Sequence, residues 1–392
     1  MEMVRDNRNN LDSKDDIDLK DKMERDKVLA MNYSNGGVAY YNQKIYDKAI
    51  DAFTQSIVLD PEVAKTYHNR GLSYNALRQH KQAVKDFSKA IELDPGYADA
   101  YSDRAGIYME LKQYAKAAQD YGQAIDLGTE SAFIHNNHGL CLFNLNQYDK
   151  AKEAFTRVAE LDPAFPGIYY YRGVCCVHLK HHQEAVQDLT RSLDFGFYAD
   201  VISIYNNRGY AYACLSQYEQ STEDFSKAIA LAPSDADIYY KRAANYNKLK
   251  KYEDALNDLD KAIEFGVSDA RVYYERAVNR QYMRRHAEAI EDFTQAIELD
   301  PENVSAELYY KRGYSFDEIK HYPEAIEDFS RSIELDPLHV KAYNNRGVSY
   351  SRMKQYNKAL EDVKKATELD LAEPTYRENL EICRRLMRKK IT

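Results

Sequence analysis

The chain has 392 residues, 63 acidic against 54 basic, and a net charge of −9. An acidic surface repels phosphate backbones, and no apolar run approaches the ~18 residues that cross a bilayer, so neither nucleic acid nor membrane insertion is expected. The opening MEMVRDNRNN is charged where a secretory signal is apolar, and the five cysteines include no C-x-x-C pair, so the expectation is a reduced, cytoplasmic chain.

Residues 1–29 are mostly charged, with scattered Leu, Ile, Met and Val, and read as a disordered or loosely helical leader. From Tyr33 onward an aromatic recurs: Tyr33, Tyr67, Tyr101, His135, Tyr169, Tyr205, Tyr239, Tyr273, Tyr309 and Tyr343. The steps are 34 residues, except 36 from Tyr169 to Tyr205 and from Tyr273 to Tyr309. A fixed period this short marks stacked supersecondary units. Ten are read: 30–63, 64–97, 98–131, 132–165, 166–201, 202–235, 236–269, 270–305, 306–339 and 340–373.

Each unit holds two amphipathic runs, as in IYNNRGYAYACL and YEQSTEDFSKAIAL of 202–235. The second run ends at a proline (Pro61, Pro95, Pro163, Pro233, Pro301, Pro337) or a glycine (Gly128, Gly196, Gly266). Proline denies a helix its next amide, and glycine accepts the left-handed turn that caps a C-terminus. Helix–turn–helix units follow. The last stretch, 374–392, reads as a final helix in which Tyr376, Leu380, Cys383 and Met387 could cover the last unit, and it ends on the basic RRLMRKK.

The register carries a resemblance. An aromatic is followed by a small residue (Gly37, Gly71, Ala105, Gly139, Gly173, Gly209, Ala243, Ala277, Gly313, Gly347), then usually by another aromatic. Alanine opens the second run, as at Ala83 and Ala325, an aromatic such as Phe87 or Phe329 comes next, and the proline closes the unit. Across 30–373 this resembles the tetratricopeptide repeat. It departs in having tyrosine for the family's tryptophan and mostly arginine where the family has leucine. The resemblance implies an all-α, right-handed α-solenoid superhelix of about ten units with a C-terminal capping helix, whose first helices line a concave groove. It also implies that the glycine of YNNRG is a packing glycine rather than a phosphate cradle.

Arginine recurs at Arg70, Arg104, Arg172, Arg208, Arg242, Arg276, Arg312 and Arg346. Sixteen residues later stands Asp86, Asp120, Asp188, Asp224, Asp258, Asp292, Asp328 or Asp362. Both columns fail in the same two units, at Gly36 with Ala52 and at His138 with Ala154. Matched failures point to Arg–Asp pairs joining the two helices of a unit, such as Arg70 with Asp86, Arg208 with Asp224 and Arg312 with Asp328. His182 shares its column with the aromatics of other turns and reads as packing, so no metal is expected from His178, His181 and His182. Nucleophile constellations, P-loops and dinucleotide fingerprints are missing from the sequence, so neither an enzyme nor a cofactor is expected.

Twenty-two of the 35 tyrosines fall in three framework columns. Of the rest, eight point into the groove by the family's geometry: Tyr41, Tyr170, Tyr210, Tyr240, Tyr274, Tyr282, Tyr310 and Tyr314. Exposed tyrosines on a rigid concave wall suit peptide recognition. Asn69, Asn137, Asn207 and Asn345 stand one residue before the arginine column, and their amides could pair with an extended backbone. No unit offers the Lys and Asn of the family's chaperone C-terminal clamp (Ser34/Val38, His68/Leu72 and Tyr240/Ala244 stand there), so that partner is not expected. The expectation is a protein or peptide partner held in the groove. The alternatives are an architectural role through the convex face or the solenoid ends, or a regulatory module of an enzyme on another chain.

Overall fold

The computed structural model describes residues 14–196 and 200–391. They form two compact units that divide after residue 197. Among the described residues every regular element is a helix. The first unit holds α1 (Lys14–Asn42), α2 (Tyr46–Leu59), α3 (Ala64–Ala76), α4 (His80–Leu93), α5 (Ala98–Glu110), α6 (Tyr114–Asp126), α7 (Ala132–Asn144), α8 (Tyr148–Leu161), α9 (Ile168–His178) and α10 (His182–Asp194). The second holds α11 (Val201–Cys214), α12 (Tyr218–Leu231), α13 (Ala236–Lys248), α14 (Tyr252–Glu264), α15 (Ala270–Tyr282), α16 (His286–Leu299), α17 (Ala306–Glu318), α18 (Tyr322–Leu335), α19 (Val340–Arg352), α20 (Tyr356–Leu369) and α21 (Pro374–Ile391). Within each unit an odd-numbered helix packs on the next even-numbered one, and each hairpin packs on its neighbour in chain order.

The two break chemistries take two geometries. Gly128, Gly196 and Gly266 adopt φ of 93°, 70° and 102°, which glycine reaches without a Cβ penalty. Before a proline the closing residue is extended instead, as at Asp94 (φ −138°, ψ 91°) and Asp162 (φ −145°, ψ 93°). The turn inside each hairpin also holds a left-handed residue, and here it is not glycine. Lys44, Arg78, Lys112, Asn146, Lys180, Ser216, Lys250, Arg284, Lys320 and Lys354 all sit at φ between 56° and 65°. All ten side chains are exposed to water, while the hairpin contacts on either side hold the strained backbone.

The segment read as a leader enters the first hairpin. Residues 14–29 are the opening of α1, and residues 1–13 lie outside the described residues. At the other end α21 lays Leu380 and Cys383 on Ala359 and Val363 of α20.

Each hairpin closes over one large side chain. Phe53, Phe87, Phe155, Phe225, Phe293 and Phe329 are fully buried. Opposite most of them the first helix has a glycine: a Cβ on Gly71 would lie 2.7 Å from the Phe87 ring, and one on Gly139 would lie 2.8 Å from Phe155. The glycine is therefore a close-approach residue.

The arginine and aspartate columns meet. All eight guanidiniums bind their aspartates through two parallel bonds, Nε to Oδ2 and Nη2 to Oδ1, at 2.7–3.0 Å. Their side chains keep only 11–19% of their exposure. In several, Nη1 also donates to a hydroxyl on the second helix of the preceding hairpin: Thr54, Ser88, Ser226, Thr294 or Ser330, at 2.9–3.1 Å. The guanidinium faces are flanked by framework rings; Arg70 lies 5.7 Å from the Tyr67 centroid and 5.9 Å from that of Tyr74. One side chain thus ties two helices of a hairpin and, through the hydroxyl, two hairpins.

Two outcomes check this packing. Arg208→Leu leaves the buried Asp224 without its cation and should cost about 3 kcal/mol or more in urea melts. Arg208→Leu with Asp224→Leu should cost less than Arg208→Leu alone, and simple addition of the two single effects would refute the coupling. Gly71→Ala should lower stability, because overpacking against Phe87 costs about 1–3 kcal/mol and outweighs a helix-propensity gain of roughly 1 kcal/mol. A thermal melt at or above the wild type would show that the ring yields.

Candidate functional site

Within each unit the first helices of successive hairpins lie side by side, and polar side chains link them about 35 residues apart. His68 Nε2 is 2.7 Å from Asp103 Oδ2, while the Tyr97 hydroxyl is 3.0 Å from its Nδ1. In the second unit Lys241 Nζ donates to Asn206 Oδ1 (3.1 Å) and Asn379 Nδ2 to Asn344 Oδ1 (2.9 Å). Asn345 Nδ2 donates to the Tyr310 hydroxyl at 3.3 Å. Columns read separately in the sequence are lateral partners on one face. An offset of 35 between complementary polar residues, such as His68 and Asp103, was the signal for it.

The asparagines expected to grip a backbone are largely engaged by the protein itself. Asn137 is buried, and its amide donates to the Tyr121 hydroxyl at 3.3 Å. Asn207 donates to the Ser203 carbonyl at 2.8 Å and Asn345 to Tyr310. Asn69 is partly buried, beside Arg70.

The eight tyrosines divide, which corrects the expectation that they form one exposed set. Tyr210, Tyr282 and Tyr314 are exposed at 44%, 61% and 38%. Tyr41, Tyr170, Tyr240, Tyr274 and Tyr310 are partly buried. Tyr240 packs on the cluster of Leu259 and Ala243, and Tyr274 and Tyr310 each set a ring 5.9 Å from a core phenylalanine, Phe293 and Phe329. The physical reason is position. Tyr170, Tyr240, Tyr274 and Tyr310 each stand directly after the framework position, over the hairpin core. Tyr210, Tyr282 and Tyr314 lie farther along the helix and clear it, and Tyr41 packs on the Tyr46 ring.

Tyr240 and Tyr282 still share a surface, lining one cavity of about 260 Å³ with Glu275, Asn247 and Lys248. Burial pushes the Glu275 carboxyl above its ordinary value, while the Lys248 and Lys311 charges pull it back. Burial also pushes the Tyr274 and Tyr310 hydroxyls up to about 12. His178 lies flat on Tyr148 with centroids 4.1 Å apart. Among the described residues no group of three or more His, Cys, Asp or Glu side chains is placed to hold a metal ion, and no helix is long and apolar enough to cross a membrane.

Models of the tetratricopeptide repeat match residues 64–97, 202–235, 270–303 and 340–371, with further models of the same description matching 87–119, 236–265 and 306–337. The chain belongs to the tetratricopeptide repeat family. A model described as anaphase-promoting complex, cyclosome, subunit 3 matches 123–192. No curated protein matches the chain. Among solved structures, a tetratricopeptide repeat protein from Parabacteroides merdae is 20% identical over 65% of this chain and 99% of its own, with a TM-score of 0.43. MamA from Desulfovibrio magneticus is 18% identical over 45% of this chain and 98% of its own (TM-score 0.42). Yeast Tom70 is 17% identical over 92% of this chain and 96% of its own (TM-score 0.37). None of the three says what this chain binds. As a tetratricopeptide repeat protein, the chain is a protein-interaction scaffold.

The buried tyrosines make stability fall in alkali. Between the ordinary value of 10.0 and about 12 the folded chain keeps a proton on Tyr274 that the unfolded chain has released. Unfolding is therefore favoured progressively as pH rises through that window. Circular-dichroism melts between pH 9 and pH 12 should show a smaller loss for Tyr274→Phe than for the wild type; equal losses would place the hydroxyl in water.

Proposed function

We propose that the protein binds an extended segment of a partner protein along the face that the first helices form within a unit, without catalysing a reaction on it. The observation that carries this reading is the exposure of Tyr210, Tyr282 and Tyr314, large rings on first helices that the hairpin cores do not use. Rigid amphipathic rings give contact area at low entropy cost and serve well as anchors. The lateral bonds between neighbouring first helices hold their backbones in place, so little order has to be gained on binding. Of the asparagines, Asn345 takes part in that lateral bonding, Asn137 is held by Tyr121 and Asn207 by its own helix, and Asn69 is the one of the four best suited to a ligand backbone.

The test removes the exposed rings together: Tyr210→Ala, Tyr282→Ala and Tyr314→Ala. Surface changes of this kind shift stability by roughly half a kcal/mol each. Affinity for a partner identified by pull-down and mass spectrometry should fall about tenfold or more, as truncating an aromatic anchor often costs ~2 kcal/mol. The partly buried set, Tyr240→Ala with Tyr274→Ala and Tyr310→Ala, is the contrasting control and should lower the melting temperature. A triple variant of the exposed rings that folds and keeps every partner would leave this face idle and favour an architectural role through the convex face or the ends.

A further inference from the structure

One place on the first-helix face of the first unit is hollow. Immediately after the small residue, the other first helices there carry Val38, Leu72, Leu140 and Val174, and α5 has Gly106. A Cβ built on Gly106 would meet only the Tyr121 hydroxyl, at 3.6 Å. The core position filled by Phe53, Phe87 and Phe155 in neighbouring hairpins is Tyr121 in this one. Its ring is 2% exposed, and its hydroxyl accepts from Asn137 below the gap that Gly106 leaves. Gly106 and Tyr121 line a cavity of about 600 Å³, whose space comes from the side chain that Gly106 lacks.

Its lining is chemically specific. Met109, Phe133 and Ile134 form apolar walls, and Phe133 is 62% exposed although no hairpin core calls for it. Asp103 and Glu110 bring two carboxylates to the lining, and no lysine or arginine is among the residues that line it. Each carboxylate is approached from one side, Asp103 by His68 and Glu110, on its Oε2, by the largely exposed Arg78 at 2.8 Å and by His80 at 3.7 Å, and both stay more than a third open to solvent. Their charge reaches the floor. Burial first, then the negative charges of Asp103 and Glu110 among other neighbours, pushes the Tyr121 hydroxyl up to about 12, against the opposing bond from Asn137.

We propose that this cavity receives a lysine or arginine side chain of a partner segment bound along the first helices of the first unit, an inference that rests on the groove reading above. Such a side chain lays its methylene stem on Met109 and Ile134, its cationic head within reach of Asp103 and Glu110, and its charge against the Phe133 ring. An apolar residue would strand the two carboxylates against an uncharged partner, and an acidic one would meet like charge.

The experiment uses the full chain and fluorescein-labelled heptapeptide pools, each with a fixed central Arg, Lys, Leu, Phe or Glu and degenerate flanks, read by fluorescence anisotropy. The wild type should bind the Arg and Lys pools at least about fivefold more tightly than the Leu and Glu pools. Gly106→Leu fills the hollow with the residue that α3 and α7 carry, so it should melt no lower than the wild type and lose the basic preference. Asp103→Asn with Glu110→Gln should lose it too without filling the space, which keeps the test open if Gly106→Leu folds poorly. A preference for Leu, Phe or Glu, or a basic preference that survives both variants, overturns the inference. If the pools bind without basic preference and the exposed-tyrosine variant releases them, the groove reading stands and the cavity assignment fails. If the basic preference tracks the cavity variants alone, the cavity stands and the tyrosine anchors fail; if no pool binds, both fail.

Discussion

An arginine side chain enclosed by two helices loses most of its hydration, and only a full set of acceptors makes good that loss. Eight of the ten hairpins supply the set in the same way: a carboxylate held by two parallel bonds, tyrosine rings beside the guanidinium, and often a hydroxyl from the preceding hairpin. The geometry demands an arginine on the first helix and an aspartate sixteen residues on, and the hairpin before often contributes a serine or threonine hydroxyl, replaced at Arg276 by the Asp260 carboxylate. Where the arginine is missing, the charge is missing too. Ala52 stands opposite Gly36, and Ala154 faces His138, whose imidazole burial pushes below its ordinary value toward the neutral form. Neither hairpin is left with an orphan ion.

That constraint shapes what the surface can offer. The arginine column faces the hairpin interior and is saturated, so it is no anion trap despite its regularity. The neighbouring columns are spent in part on lateral bonds between first helices, which absorb Asn206, Asn344, Asn345 and His68, while Asp103 gives one oxygen to His68 and keeps an open side. What the repeat leaves over are its departures: the exposed rings of Tyr210, Tyr282 and Tyr314, and the place where Gly106 and Tyr121 replace a branched residue and a phenylalanine.

The hairpins, their turns and the Arg–Asp pairs were legible in the sequence because each depends on residues at a fixed offset that recurs many times. Repetition turns a weak local preference into a strong one: Tyr33 alone says little, while the same column read at Tyr67, Tyr205 and Tyr343 defines a register. The candidate site was less legible because it consists of exceptions, and an exception occurs once. Asn137 and Asn207 look alike in the column, yet one amide binds a neighbouring tyrosine and the other its own helix.

The sequence by itself therefore determined the helix pairs, the close approach of glycine to phenylalanine and the charge pairing within a hairpin. These follow from local periodicity and from the cost of burying an unmatched ion. Only the tertiary structure decided which polar residues bond across neighbouring first helices, which tyrosines remain in water, and that a hollow opens beside Gly106. Those outcomes depend on side-chain reach across a gap between helices, and spacing along the chain does not encode the width of that gap.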